Sequence, residues 1–391
     1  MRAVTLVMLL LAAGLAPAQH AGHHPAGAAR VALGASVAFD ARGVLWAVNT
    51  GDNQVLLRRS ADAGASWSAP RPVNAVPEGI GAEGDARPKI ALGPRGEIYV
   101  TWTKPLAKPY TGDIRFARSL DGGNTFSAPV TVHTDRQEIT HRFDALTVAR
   151  DGKLFIAWID KRDMAALGKG GQYRGAAVYY AVSDDQGASF RGDFKLADHC
   201  CECCRIAMLP RDDGSVLALW RHVFEPNVRD HAVGVMHADG RASATRRVTF
   251  DTWAVDVCPH HGPSFAADAK GRLHAVWFTQ GAKREGVFYG RLRTDGEPGV
   301  DALRRVGGEA AEHADIAAAG SRVVVVWKEF DGTRANLRAM ISDNNGDNWR
   351  EQDLRAISGA SDQPRILARE GRFYAFWNTR NEGFVTVAVQ P

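Results

Sequence analysis

The chain of 391 residues is poor in cysteine: it has five, and all fall in two short stretches, Cys200, Cys201, Cys203 and Cys204 in one and Cys258 in the other. Sulfur chemistry, whether metal ligation or disulfide formation, is therefore confined to one locality of the fold. Long apolar runs are scarce as well. After an N-terminal stretch from Val4 to Leu15, no segment approaches the roughly 20 apolar residues that a membrane helix needs. Excess charge is also lacking: the formal net charge is +4. Such a balance gives no reason to invoke nucleic acid or a membrane surface as a partner.

The first residues read as a secretory signal, residues 1–18, with Arg2, the apolar stretch, and Ala16-Pro17-Ala18 as the cleavage site. The mature protein is expected to be exported, to the periplasm or outside the cell, and soluble. Residues 19–29 form a leader in which His20, His23 and His24 are either weak metal donors or part of a plain polar tail. A hydrophobic content of 45% then supplies a large core for a single domain over residues 30–391.

Internal repetition decides the architecture. One unit runs from Pro88 to Trp102 as a short apolar strand, a turn at Gly96, and a strand closing on tryptophan. Later copies close on Trp158, Trp220, Trp277, Trp327 and Trp377, and an earlier one places Asn49 there, so the spacings are 53, 56, 62, 57, 50 and 50. Two further apolar runs between copies give about four strands per unit. The expected fold is an all-β propeller of four-stranded blades, seven favoured and six the alternative. The last copy ends after three strands, and Arg30 to Leu33 are expected to supply the fourth.

Four turns carry a shared pattern: Ser60 to Trp67, Ser119 to Phe126, Ser183 to Phe190, and Ser342 to Trp349. In each, an acid or amide (Asp62, Asp121, Asp185, Asn344) is positioned to accept backbone N–H bonds, a glycine takes positive φ, and an aromatic tucks into the core. These turns resemble Asp boxes, and the chain resembles the sialidase-like Asp-box propellers over its mature length. The resemblance implies structural roles for the four boxes, on the rim away from the functional face.

In an up-and-down blade the connections into each inner strand share one face with the loops joining the second and third strands. These entries carry Asp85 and Arg87; His141 and Arg142; His199 to Arg205; Asp256 to His261; Glu312 and His313; and Asp362 to Arg365. Counting back from the turn glycines puts Arg142, Cys204 and His261 at one height in adjacent blades. A metal site is expected from Cys200, Cys201, Cys203, Cys204 and Cys258 with His260 or His261, and with His141 and His313 from flanking blades. Thiolate-rich donors favour copper, as Cu(I), over zinc. The covalent rival is a disulfide staple between blade entries, with one thiol left over, and a redox-active cluster is a third reading.

The resemblance also implies an enzymatic alternative: a glycoside hydrolase taking an acidic glycan, its carboxylate held by arginines drawn from Arg87, Arg142, Arg205, Arg229 and Arg365, with Asp85 as the acid/base. Arg87 lacks one residue of that family's Arg-x-Pro entry, and no motif fixes the others. A scaffold docking a protein partner on the same face is the remaining reading. The repeating tryptophans read as blade core, while Trp253, off the period, is expected to face a ligand.

Overall fold

The structure, a computed structural model, describes residues 32–82, 84–167, 173–256 and 260–391. The signal, the whole leader and Cys258 lie outside the described residues. The second strand of each repeat is dense in β-branched and aromatic side chains. Leu154–Asp160 is buried at every position and Val216–Phe224 at all but its last. A strand buried on both faces must be flanked by sheet on each side, as packing between blades provides.

Among the described residues there are 27 strands and one short helix, Arg162–Leu167. The strands form antiparallel meanders in chain order over residues 36–72, 89–131, 141–200, 207–247, 264–306, 311–357 and 365–389. The third and fourth merge into one sheet where Cys200 pairs with His222. The inner strands, from Ser36–Phe39 through Lys89–Leu92, His141–Val148, Ala207–Pro210, Ser264–Ala267 and Ala311–Ala319 to Arg365–Arg369, touch in succession, and the last touches the first. That closed circuit of sheets is a β-propeller. The tryptophans of the repeat are buried between the sheets. Several of their indoles donate to nearby acceptors, Trp102 to Glu78 at 2.9 Å, Trp158 to Asp160 at 2.7 Å and Trp277 to Asp251 at 2.8 Å. Among the described residues no helix is long and apolar enough to cross a membrane.

The four boxes share one hydrogen-bond scheme. Asp62 accepts Ser60 Oγ at 2.6 Å, Ser66 N at 2.9 Å and Ser66 Oγ at 2.6 Å, while Gly64 N donates to Ser60 Oγ at 2.7 Å. Asp121 and Asp185 repeat it, and Asn344 accepts Asn348 N at 2.9 Å. In the first box both Ala63 and Gly64 stand at positive φ, and a Cβ on Gly64 would lie 2.1 Å from Thr386 Oγ1. The box aromatic reaches backwards to the preceding meander: Phe190 meets Phe116 at 4.9 Å between centroids, and Trp349 meets Tyr289 at 4.6 Å. Trp67, in the first meander, meets Phe384 in the last at 5.1 Å. Each box is thus a joint between blades as well as a hairpin brace.

Ring closure differs from the expectation. The last sheet has three strands, and Ala32 and Leu33 adopt no strand; Arg30 and Val31 lie outside the described residues. Leu33 O accepts Asn378 Nδ2 at 2.8 Å and Ala35 N donates to Asp362 Oδ2 at 3.0 Å, so this segment is held by side chains. It meets the second strand of the last meander and the entry to its first strand. Arg87, from the second meander, also pairs with Asp362.

Hydroxyl donors hold the Asp62 and Asp185 carboxyls down to about 2, with burial opposing them at Asp185. A depressed carboxylate contributes stability above its unfolded pKa and loses it as pH falls through the folded value. Thermal midpoints of wild type and an Asp62→Asn, Asp185→Asn double variant are expected to differ at pH 6 and to converge between about pH 4 and pH 2. An unchanged gap across that range would rule out this role for the carboxylates.

Candidate functional site

The cysteine tract leaves the outer strand Arg191–Cys200 at the seam of the third and fourth meanders and turns through Glu202 and Cys203. Cys200, Cys201, Cys203 and Cys204 are all buried. The sulfurs of Cys201, Cys203 and Cys204 lie within 4.8 Å of one another, and Cys201 Sγ is 3.7 Å from Cys204 Sγ. Cys200 stands apart, donating to Cys201 O at 3.2 Å. Cys200, Cys201 and Cys204 are free thiols, whereas Cys203 is disulfide-bonded. The tract therefore combines a covalent link at Cys203 with free thiols at Cys200, Cys201 and Cys204.

Arg229 Nη1 donates to Cys201 Sγ at 3.2 Å. The bond from Cys204, with Arg221 and Arg229 nearby, draws Cys201 below the ordinary thiol range against the pull of burial. Donating that bond, together with burial, pushes Cys204 up. The two shifts run in opposite directions, so Cys201 is the sulfur that loses its proton the more readily. Arg221 is itself fully buried: its guanidinium donates to His261 O and Phe278 O, each at 2.8 Å, and lies 4.7 Å from the Trp253 ring centroid. Trp253 was expected to face a ligand. Instead it is buried under Arg221 and edged by Phe278, its centroid at 5.7 Å, so it serves as packing.

The expected single cluster of cysteine and histidine divides into separate groups. His261, on the entry to the fifth meander, and Glu312 and His313, on the sixth, bring their donor atoms within 4.8 Å of one another. The His261 and His313 rings stack at 4.3 Å. Burial, and next to it the charge of Arg221, lowers His261 to about 3, and burial also holds His313 well below its usual value. His260 is exposed. His141 belongs to a third group with Asp113 and His133. Its Nδ1 donates to Gly112 O at 3.1 Å, and Nε2 lies 3.7 Å from Asp160. His133 is committed at both nitrogens, its Nε2 accepting from Ile114 N at 3.1 Å while Nδ1 bonds Asp135 O at 2.6 Å.

The candidate arginines are largely engaged in holding the ring. Arg87 is fully buried, donating to Gly84 O at 2.6 Å and Ala35 O at 3.0 Å besides pairing with Asp362. Arg205 bonds Pro263 O at 2.9 Å, Ala314 O at 3.2 Å and Asp315 at 3.3 Å, tying the fourth meander to the fifth and sixth. Arg142 lies over the Phe143 ring at 5.1 Å. Arg365 pairs with Asp85 at 3.3 Å, so the expected acid/base is an arginine partner. Lys89 bonds the carbonyls of Asp85 and Arg87, and burial lowers it to about 8, with Asp144 opposing. The contacts of Arg221 and Arg229 were not legible in sequence. The nearest signal was their position, Arg221 immediately after a closing tryptophan and Arg229 at the start of the next strand.

No protein-family model and no curated protein matches the chain. Solved structures do. A polysaccharide lyase, an ulvan lyase, is 11% identical, with 90% of each chain covered and a TM-score of 0.53. An α-L-arabinanase of Penicillium chrysogenum with arabinobiose is 12% identical, covering 78% of this chain and 92% of that one at a TM-score of 0.52. A Hadza microbial sialidase is 15% identical, covering 91% and 65% at 0.50. With the boxes and the closed ring, the chain has the fold of the sialidase-like Asp-box propellers.

The locked arginines make a testable point about their role. Replacing Arg87 by Met leaves Asp362 buried without its partner, a loss of about 3–5 kcal/mol for such pairs. Urea unfolding is expected to show that loss for Arg87→Met and a much smaller one for the Arg87→Met, Asp362→Leu double variant. Equal losses in both would exclude the ion pair as the origin.

Proposed function

We propose that this protein is an exported propeller that binds a soft transition metal, copper as Cu(I) ahead of zinc, between Cys201 and Cys204. The observation that carries the reading is the 3.7 Å separation of the two sulfurs. A two-coordinate Cu(I) is near linear, which with metal–sulfur bonds of about 2.3 Å puts the sulfurs about 4.6 Å apart, so the pair has to open by about 0.9 Å to close on an ion. Thiolates favour Cu(I), and zinc wants four donors where the disulfide occupies Cys203. A Cu(I) ion between two thiolates leaves one negative charge, and Arg229 at 3.2 Å supplies the compensating cation in a buried place.

Metal analysis by mass spectrometry, on protein prepared without chelator, is expected to find close to one copper per chain. Cys201→Ser and Cys204→Ser should each reduce it to near none while the near-ultraviolet spectrum of the folded propeller persists. Copper retained at full stoichiometry in the double variant would refute the assignment.

A second reading rests on the solved structures, which include a polysaccharide lyase, an arabinanase and a sialidase: a carbohydrate-active propeller taking an acidic glycan at the channel mouth. Arg365, partly exposed beside Asp85, is the best-placed cation for it. This reading expects release from a fluorogenic α-sialoside, lowered at least about tenfold by Arg365→Ala. An inactive wild type from acidic to neutral pH counts against it.

A further inference from the structure

We infer that His261, Glu312 and His313 form a second metal site, separate from the cysteines and suited to a borderline divalent ion such as Zn²⁺ or Cu²⁺. Their donor atoms lie within 4.8 Å of one another, contributed by two adjacent inner-strand entries. The local backbone explains the convergence. The pairing of the sixth meander's inner strand shifts register between Glu312 and Asp315, and His313 stands at φ 53° inside that bulge. A bulge re-aims the side chains it carries, here towards the neighbouring entry.

His261 is the fixed member. Its ring is sandwiched between Phe278, at 4.2 Å, and His313, at 4.3 Å, and its Nδ1 is buried with no hydrogen-bond partner. A buried imidazole nitrogen without a partner is costly to maintain, and coordination is one way to satisfy it. Glu312 is oriented by Lys328 Nζ at 3.2 Å and approaches His313 Nε2 at 3.5 Å. His313 is the adjustable member. Two parallel rings do not aim lone pairs at one point, so His313 must swing out of the stack to reach bonds of about 2.0–2.2 Å.

Two imidazoles and a carboxylate select against Cu(I), which prefers sulfur, and against Ca²⁺ and Mg²⁺, which prefer oxygen. Three protein donors leave a fourth position open to water, the arrangement of zinc sites that act on a bound ligand. Arg221 keeps the two sites apart. Its carbonyl accepts Cys201 N at 2.9 Å while its guanidinium holds His261 O at 2.8 Å, which places a fixed cation between the sulfur pair and the imidazole pair.

Cobalt(II) distinguishes the two donor sets, because thiolate ligation gives an intense near-ultraviolet charge-transfer band and nitrogen–oxygen ligation gives only weak visible bands. The titration uses the full chain with His20, His23 and His24 replaced by Ala, so that the leader does not compete. The expected result is one Co²⁺ with weak visible bands alone, unchanged by Cys201→Ser with Cys204→Ser. Glu312→Gln and His313→Ala should each weaken it by about tenfold or more, the scale that losing even an outer-shell partner reaches. These two variants carry the test, since His261→Ala also removes packing against Phe278. Absent binding, an intense band lost with the cysteines, or affinity unchanged in both variants would overturn the inference; the first and last leave copper at the sulfur pair untouched, and the second would speak for metal there.

Discussion

A circuit of sheets is stable only if its last sheet meets its first, and here that meeting rests on side chains. Asp362, at the entry of the last meander, accepts Ala35 N and pairs with Arg87, so one buried carboxylate ties three parts of the ring together. Trp67 performs the apolar half of the closure against Phe376 and Phe384. An unpaired charge in such a place is far more costly than the pair is favourable, so both residues are bound to remain together. What looks on paper like a binding arginine at a channel mouth is therefore spent on architecture. The same holds for Arg205 and Asp315, which also accepts Ser264 Oγ at 2.6 Å and Ile366 N at 3.1 Å and so reaches into the last inner strand.

The channel mouth is consequently a place of matched charges. Arg87 faces Asp362, Arg205 faces Asp315, Arg365 faces Asp85, and Lys328 faces Glu312. Little free positive charge is left to draw in an acidic ligand, and little free negative charge to repel one. Against that balanced background the neutral donors stand out. Two sulfurs in contact, one of them held by Arg229, and two stacked imidazoles, one of them beside Glu312, are donors of a different kind from the paired carboxylates and guanidiniums. On the metal-binding reading proposed above, these are the groups that would hold an ion through their lone pairs.

The fold was legible in the sequence because its signals are local and repeated. Asp62, Asp121 and Asp185 sit at a fixed offset from a serine, a glycine and an aromatic, and each box closes on hydrogen bonds within a few residues. Nothing outside the turn has to be known. The tryptophan period worked for the same reason, since each copy marks one blade core. The closure was not legible. Asn378 reaching Leu33 O and Arg87 reaching Asp362 span nearly the whole chain, and no local pattern announces them.

The candidate site falls between these cases. Spacing from the turn glycines placed Cys204 and His261 at the same height, and their entries do adjoin: a Cβ on Gly262 would lie 2.4 Å from the Arg205 backbone. Height along a strand is a one-dimensional quantity, however, and says nothing about azimuth around the channel. Arg221 follows its closing tryptophan by one residue, turns its guanidinium inward beneath His261, and thereby divides a cluster that sequence alone presents as continuous. Residues sharing a level are neighbours only when no third side chain occupies the space between them. In this ring a buried cation does, and it separates a group of sulfurs from a pair of imidazoles.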